Sequence, residues 1–135
     1  MIIVLDTNVL VSALLSPFGT PARILDLLLA GDLRLAYDDR ILSEYRQVLA
    51  RPRFGFNSHT VADLIAHLVA DGLPTTTYPW PVSLPDPDDL PFLEVAQAAN
   101  AVLITGNRRH FPRDACRDVR IASPTEFLTR LALGH

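Results

Sequence analysis

Buried strands and amphipathic helices alternate along the chain. Residues 2–5 are aliphatic without polar alternation, which is typical of a strand buried on both faces of a parallel sheet. Similar apolar runs, separated by segments with apolar residues at helical spacing, predict the remaining elements. The predicted strands cover residues 2–5, 33–37, 102–105 and 119–122, with a further strand expected in 75–78. The predicted helices cover residues 22–30, 40–50, 58–71, 92–99 and 124–133.

Helix caps and prolines delimit these elements. Thr20, followed by proline, is expected to cap one helix, and Asp38 or Asp39 the next. Residues 123–126, Ser-Pro-Thr-Glu, form a capping-box sequence. Five prolines between residues 79 and 91 predict a rigid connector, because proline interrupts both helices and central strands. Strands that alternate with helices predict an α/β sandwich with a mostly parallel sheet.

The composition is that of a globular protein in a reducing compartment. At 135 residues, with 49% hydrophobic residues, the chain is long enough to bury a core, and we expect one domain over residues 1–135. Cys116 is the only cysteine, which excludes a disulfide framework and favours the cytoplasm. The apolar N-terminus carries Asp6 and lacks a basic segment, so we predict core rather than an export signal or a membrane span.

The charge pattern limits the possible chemistry. The net charge of -3 argues against holding nucleic acid by bulk electrostatics, so any such contact must be local. All twelve cationic side chains are arginine, which excludes enzymes that need an active-site lysine. The arginines at 108, 109, 113, 117 and 120 are clustered, and either a solvated loop or a phosphate-contacting patch fits this pattern.

Polar residues follow two of the predicted buried strands. Asp6 ends the first strand, and Asn107 follows the strand at 102–105 with one glycine between. In parallel α/β folds the ligand site lies beyond the carboxyl ends of the strands, so these side chains are expected at one sheet edge. The alternatives are a helix cap for Asp6 and ordinary turn chemistry for Asn107.

Carboxylates on two further segments are candidate metal ligands. Glu44 lies on the apolar stripe of its helix and is predicted to point inward, which requires either a buried arginine partner or a metal. Asp86, Asp88 and Asp89 precede the helix at 92–99, and one of them is expected to be its cap. Carboxylates gathered from separate elements repel one another unless a divalent cation binds them. Oxygen ligands without histidine or cysteine indicate Mg²⁺ or Mn²⁺ rather than zinc.

The chain resembles the PIN domain, and most nearly the bacterial PIN-family toxins of toxin-antitoxin systems, the relatives of VapC. The resemblance spans nearly the whole chain and lies in four segments: LDTNVLVSALL, SEYRQVLARP, PDPDDLPFLEVAQAANAVLITGN and ASPTEFLTRL. It implies a three-layer α/β/α sandwich with a mostly parallel sheet of four to five strands. It also implies a ribonuclease that uses Mg²⁺ or Mn²⁺.

Residue by residue, the resemblance assigns the catalytic metal ligands to Asp6, Glu44 and Asp89, with Asp86 and Asp88 held in reserve. The fourth catalytic position, commonly aspartate in the family, is Asn107 here, which puts the number or affinity of the metal ions in doubt. The predicted substrate-binding residues are Asn8, Thr105, Arg108, Arg109 and Arg113.

The activity implied is metal-assisted hydrolysis of RNA phosphodiester bonds without a protein nucleophile. A cognate antitoxin and a homodimer are implied as partners. Two alternatives stay open: a non-catalytic PIN-like module that binds RNA or protein, and a PIN ribonuclease of RNA processing without an antitoxin. Haloacid-dehalogenase-type phosphatases and response-regulator receivers also place an aspartate after the first strand, but both need a lysine, which this chain lacks.

Overall fold

A five-stranded parallel sheet forms the centre of the computed structural model, which describes residues 1–134. The sheet order is β3-β2-β1-β4-β5, and every neighbouring pair is parallel. The parallel sheet predicted from the buried apolar runs is therefore confirmed. The strands are β1 (Ile2–Leu5), β2 (Arg34–Tyr37), β3 (Leu73–Pro74), β4 (Val102–Ile104) and β5 (Ile121–Ala122).

Helices flank the sheet and complete a three-layer α/β/α sandwich. Ile3, Val4 and Leu103 are fully buried, as expected for central strands covered on both faces. Within residues 1–134, no helix combines the length and hydrophobicity needed to cross a membrane. The helices are α1 (Thr7–Leu15), α2 (Thr20–Leu29), α3 (Asp39–Leu49), α4 (Ser58–Asp71), α5 (Leu90–Ala99), α6 (Arg113–Cys116) and α7 (Pro124–Ala132).

The structure corrects several predicted boundaries. The last strand is Ile121–Ala122 rather than residues 119–122. Gly19 is the N-cap of α2, and Thr20 is the first helical residue rather than the cap. The third strand is Leu73–Pro74 and not residues 75–78. β3 pairs with β2 and directly follows Gly72. A Cβ atom added to Gly72 would lie 2.5 Å from a backbone carbonyl oxygen of α4, so glycine is needed at this close approach. Proline is tolerated in β3 because the strand lies at the sheet edge.

Other local signals agree with the sequence. The carboxylate of Asp38 accepts a hydrogen bond from the backbone N–H of Ile41, so Asp38 rather than Asp39 caps α3. The capping box at the start of α7 is present. The proline-rich connector contains no strand, but α5 begins at Leu90 and so includes the last proline of that segment in its first turn.

The direction of the crossovers reverses beside β1. The chain runs outward from β1 through β2 to β3, then returns across the sheet to form β4 and β5 on the other side. The carboxyl ends of β1 and β4 therefore flank a topological switch point, where parallel α/β proteins open a ligand crevice. Asp6 follows β1, and residues 105–107 follow β4 at this edge.

Candidate metal centre

Asp6 is held at the end of β1 by the residues that follow β4. Its backbone N–H donates to the carbonyl oxygen of Ile104 at 2.9 Å, and the Thr105 hydroxyl donates to Asp6 Oδ2 at 2.7 Å. Asp6 occupies the N-cap position of α1, but its side chain makes no capping hydrogen bond. Helix capping therefore does not explain this carboxylate. Burial raises the pKa of Asp6, while the Thr105 hydrogen bond opposes that shift.

Glu44 approaches the same site from α3. Its half-buried carboxylate accepts a hydrogen bond from the Thr7 hydroxyl, and no arginine of residues 1–134 forms a salt bridge with it. The adjacent Tyr45 is fully buried, and its hydroxyl donates to the carbonyl oxygen of Leu5 at 2.5 Å, which fixes α3 against the end of β1. Burial raises the pKa of Glu44, and the negative charge of Asp6 adds to the increase.

Asp89 supplies a third carboxylate, from the short 3-10 turn that precedes α5. The residue is 7% exposed, and its Oδ2 atom is buried without a hydrogen-bond partner in the described chain. Nδ1 of His110 lies 2.8 Å from this oxygen, but the two groups are not aligned as a hydrogen bond. Burial, followed by repulsion from Asp6 and Asp86, raises the pKa of Asp89 to about 6.

The other two aspartates of this cluster differ from Asp89 in their surroundings. Asp86 accepts a hydrogen bond from the backbone N–H of Asp88 at 3.0 Å and caps the 3-10 turn Pro87–Asp89. The expectation that one of the three aspartates caps α5 is wrong, because Asp89 occupies the N-cap position of α5 and its side chain makes no capping hydrogen bond. Asp88 is exposed. Asp86, Asp89 and His110 each offer one ligand atom, and these atoms all lie within 4.8 Å of one another. The unpartnered Asp89 oxygen and the oxygen-rich donor set fit a divalent cation.

The segment after β4 forms the rim of the site. The backbone N–H of Asn107 donates to the Thr105 hydroxyl at 3.0 Å, and the Asn107 amide Nδ2 lies 3.0 Å from Nε2 of His110. Asn8 accepts a hydrogen bond from the backbone N–H of Gly106. Asn107 therefore contacts a histidine that sequence reasoning missed as a site residue. Its place three residues after Asn107, in the turn that follows β4, is the signal that could have identified it.

The predicted substrate-binding residues differ in how accessible they are to a substrate. Thr105 is 2% exposed, so its hydroxyl positions Asp6 and is not accessible to a substrate. Arg108 donates to the carboxylate of Glu126 at 2.7 Å and is thus tied to the start of α7. Arg109 and Arg113 are exposed. An open depression of about 430 Å³ adjoins the site and is lined by Arg40, Ser43, Glu44, Gln47, Pro87, Asp88 and Pro91.

Glu94 is a buried carboxylate that the sequence analysis did not identify. It lies on α5 and is 4% exposed, with its oxygens 2.7 Å from Arg40 Nη1 and 2.7 Å from the backbone nitrogen of Trp80. These contacts tie the connector to α3 and α5, so Glu94 is a structural tether. Like Glu44, Glu94 is a carboxylate among the apolar residues of a helix, and this position is the signal that could have identified it.

Replacing Glu94 with glutamine is expected to lower the free energy of unfolding by about 1–3 kcal/mol, because both donors lose a charged acceptor and the glutamine amide has one oxygen for the two of them. Urea titration measures this change. Glu126→Gln is the matched control: its ion pair with Arg108 is exposed and glutamine preserves the capping box, so we expect less than about 1 kcal/mol. Equal losses in the two variants would contradict the tether.

The fold and parts of the sequence match known proteins. Residues 2–109 match the family model described as PIN domain. No curated protein gave a significant match to the sequence. A chain of VapBC-1 from nontypeable Haemophilus influenzae aligns with a TM-score of 0.60 at 22% identity, covering 93% of this chain and 99% of that one. A chain of FitAB bound to the IR36 DNA fragment aligns with a TM-score of 0.63 at 20% identity. The alignment covers 92% of this chain and 95% of that one.

A third solved structure, VapBC2 from Rickettsia felis bound to a DNA fragment from their promoter, gives a TM-score of 0.59 at 16% identity. It covers 90% of this chain and 97% of the other. At such identities, the likeness to these three structures establishes the shared fold and nothing finer.

Proposed function

The chain belongs to the PIN domain family, and on that premise we propose that it is a metal-dependent endoribonuclease. The observation that carries the proposal is the burial of Asp89, whose pKa, like that of Glu44, is raised in part by the negative charge of Asp6. Such a group is costly in a protein interior unless a cation binds it. The Oδ2 atom of Asp89 lies 2.8 Å from His110 Nδ1 without an aligned hydrogen bond, whereas both oxygens of the structural carboxylate Glu94 accept hydrogen bonds.

A neighbouring threonine hydroxyl orients two of the three proposed ligands. Thr105 holds Asp6, and Thr7 holds Glu44, each through a single hydrogen bond. Asp89 completes the proposed set from the turn that precedes α5. When bound, Mg²⁺ or Mn²⁺ supplies an activated water and neutralises charge on the phosphodiester. The protein contributes the ligands and their geometry, and no side chain is needed as a nucleophile.

RNA is the proposed substrate. Arg109 and Arg113 are exposed beside the rim and are the proposed contacts to the flanking phosphates, with Arg108 held by Glu126 until RNA competes for it. Asn8 is exposed at the same edge. Replacing Arg109 and Arg113 together with alanine should weaken RNA binding and reduce its salt dependence. An unchanged salt dependence would remove both arginines from the proposed interface.

The activity itself is tested with a labelled, mixed RNA pool. Tag-free protein, refolded to remove any copurified partner, is incubated with Mg²⁺, with Mn²⁺ and with EDTA. We expect internal cleavage that occurs with metal and stops with EDTA. Absence of cleavage by folded protein in both metals would favour the alternative of a non-catalytic RNA- or protein-binding module.

We propose further that the protein is the toxin of a type II toxin-antitoxin system in the cytoplasm. The support is the resemblance of its motifs to the VapC toxins, together with the fold that it shares with chains of VapBC-1, VapBC2 and FitAB. A cognate antitoxin and a homodimer follow from this proposal. A small upstream gene whose product blocks cleavage would support it, and absence of such a gene would favour an RNA-processing nuclease.

A further inference from the structure

His110 faces the only buried side-chain oxygen of residues 1–134 that has no aligned hydrogen bond. Its Nδ1 atom lies 2.8 Å from Asp89 Oδ2, and its side chain is 38% exposed on the rim of the site. Asp89 is more than nine-tenths buried, and its free oxygen is directed into the group formed with Asp86 and His110. We propose that His110 is a ligand of the divalent cation through Nδ1, alongside Asp89. This inference rests on the proposed function, because it assumes that an ion occupies the carboxylate site.

The geometry is that of two donors directed at a shared point. Two ligands at right angles on one ion, with bonds of about 2.1 Å, are roughly 3 Å apart. The observed separation of 2.8 Å matches this spacing. Nδ1 and Oδ2 form an ion pair when His110 is protonated, and a cation that replaces the proton on Nδ1 would keep the two atoms at this spacing.

Asn107 supplies the outer contact that a ligating histidine requires. A histidine bound to metal through one nitrogen usually donates its other N–H to a neighbouring acceptor, which fixes the ring. The Asn107 amide lies 3.0 Å from Nε2 of His110, and a 180° flip of the amide presents Oδ1 as the acceptor. Asn107, which occupies the fourth catalytic position of the family, thus serves as a positioning residue for His110.

An imidazole ligand changes which ion the site prefers. Mg²⁺ favours oxygen donors, whereas imidazole nitrogen favours first-row transition ions. With His110 in the donor set, the site should bind Mn²⁺ in preference to Mg²⁺. The sequence analysis expected only oxygen ligands and therefore either Mg²⁺ or Mn²⁺. A histidine ligand narrows the proposed ion to Mn²⁺.

Pulsed electron paramagnetic resonance of Mn²⁺-loaded, tag-free protein tests the inference directly. A directly coordinated imidazole gives ¹⁴N couplings on Mn²⁺, which we expect in the wild type and not in His110→Gln. His67→Gln is the matched control, since His67 is exposed on α4 beside Asp71, and it should keep the couplings. Mn²⁺ affinity should fall about 10- to 100-fold in His110→Gln, with little change in Mg²⁺ affinity.

The outcomes separate this inference from the proposed function. Mn²⁺ that binds tightly without ¹⁴N couplings, or couplings that persist in His110→Gln, would overturn ligation by His110 and leave the carboxylate site intact. Failure of the folded wild type to bind Mn²⁺ would overturn both.

Discussion

Replacing Asp6 with asparagine is expected to lower the rate of metal-dependent RNA cleavage about 10²- to 10³-fold. Asparagine has the same shape and can still accept the hydrogen bond from Thr105, so the local structure should persist. The substitution removes one negative charge at the carboxyl end of β1. Initial rates at saturating Mn²⁺ measure the effect, and circular dichroism checks that the variant is folded.

A matched substitution separates this effect from a general change in charge. Asp63→Asn removes one charge from the exposed surface of α4, away from the switch point, and should leave the cleavage rate unchanged. If Asp6→Asn cleaves RNA as fast as Asp63→Asn does, Asp6 does not hold the catalytic ion.

Replacing Asp89 with asparagine is expected to stabilise the metal-free protein at pH 7.5 by about 1–3 kcal/mol. The reason is electrostatic. The ionised Asp89 carboxylate is buried, has an oxygen without a hydrogen-bond partner, and is repelled by Asp6 and Asp86. Asparagine removes the charge while keeping the shape, although it also gives up the close contact with His110. Urea unfolding in EDTA measures the difference.

The difference in stability between the wild type and Asp89→Asn is expected to depend on pH. The pKa of Asp89 rises from its ordinary value of 3.8 to about 6 in the folded protein, so the folded state binds this proton more tightly than the unfolded state does. Wild-type stability should therefore fall as the pH rises from about 4 to 6, a decline that the asparagine variant lacks. The advantage of Asp89→Asn should be largest above pH 6 and absent below about pH 4.

Adding Mn²⁺ should reverse the order of the two proteins at pH 7.5, because binding stabilises only the protein that keeps its ligands. A metal-free Asp89→Asn variant that is less stable than the wild type at pH 7.5 would show that the Asp89 carboxylate is satisfied by the protein itself. No cation would then be needed to satisfy this carboxylate.

The parts of the fold that depend on local pattern could be predicted from the sequence. The aliphatic run Ile2–Leu5 has no polar face, and this pattern led directly to a central parallel strand with Asp6 at its carboxyl end. The proximity of Asp6 to the residues after β4 followed from the same reasoning and is confirmed by the Thr105 hydrogen bond. The capping box before α7 is equally local.

The parts that depend on tertiary contacts could not be predicted in this way. β3 is two residues long and includes a proline, so no periodicity marks it, and its position follows from the close approach that Gly72 allows. Glu94 and His110 belong to pairs that are far apart in sequence, with Arg40 and Asp89 respectively. Which carboxylates are paired and which are left free is decided by such contacts.

The most direct test of the central claim is a crystal structure of the protein soaked in Mn²⁺, with the ion located by its anomalous scattering. The claim is that Asp6, Glu44 and Asp89 together hold a divalent cation. It predicts an anomalous peak at the switch point, about 2.0–2.4 Å from carboxylate oxygens of Asp6 and Asp89, with Glu44 bound directly or through one water. A well-ordered site without a peak, or with the ion bound only elsewhere, would contradict it.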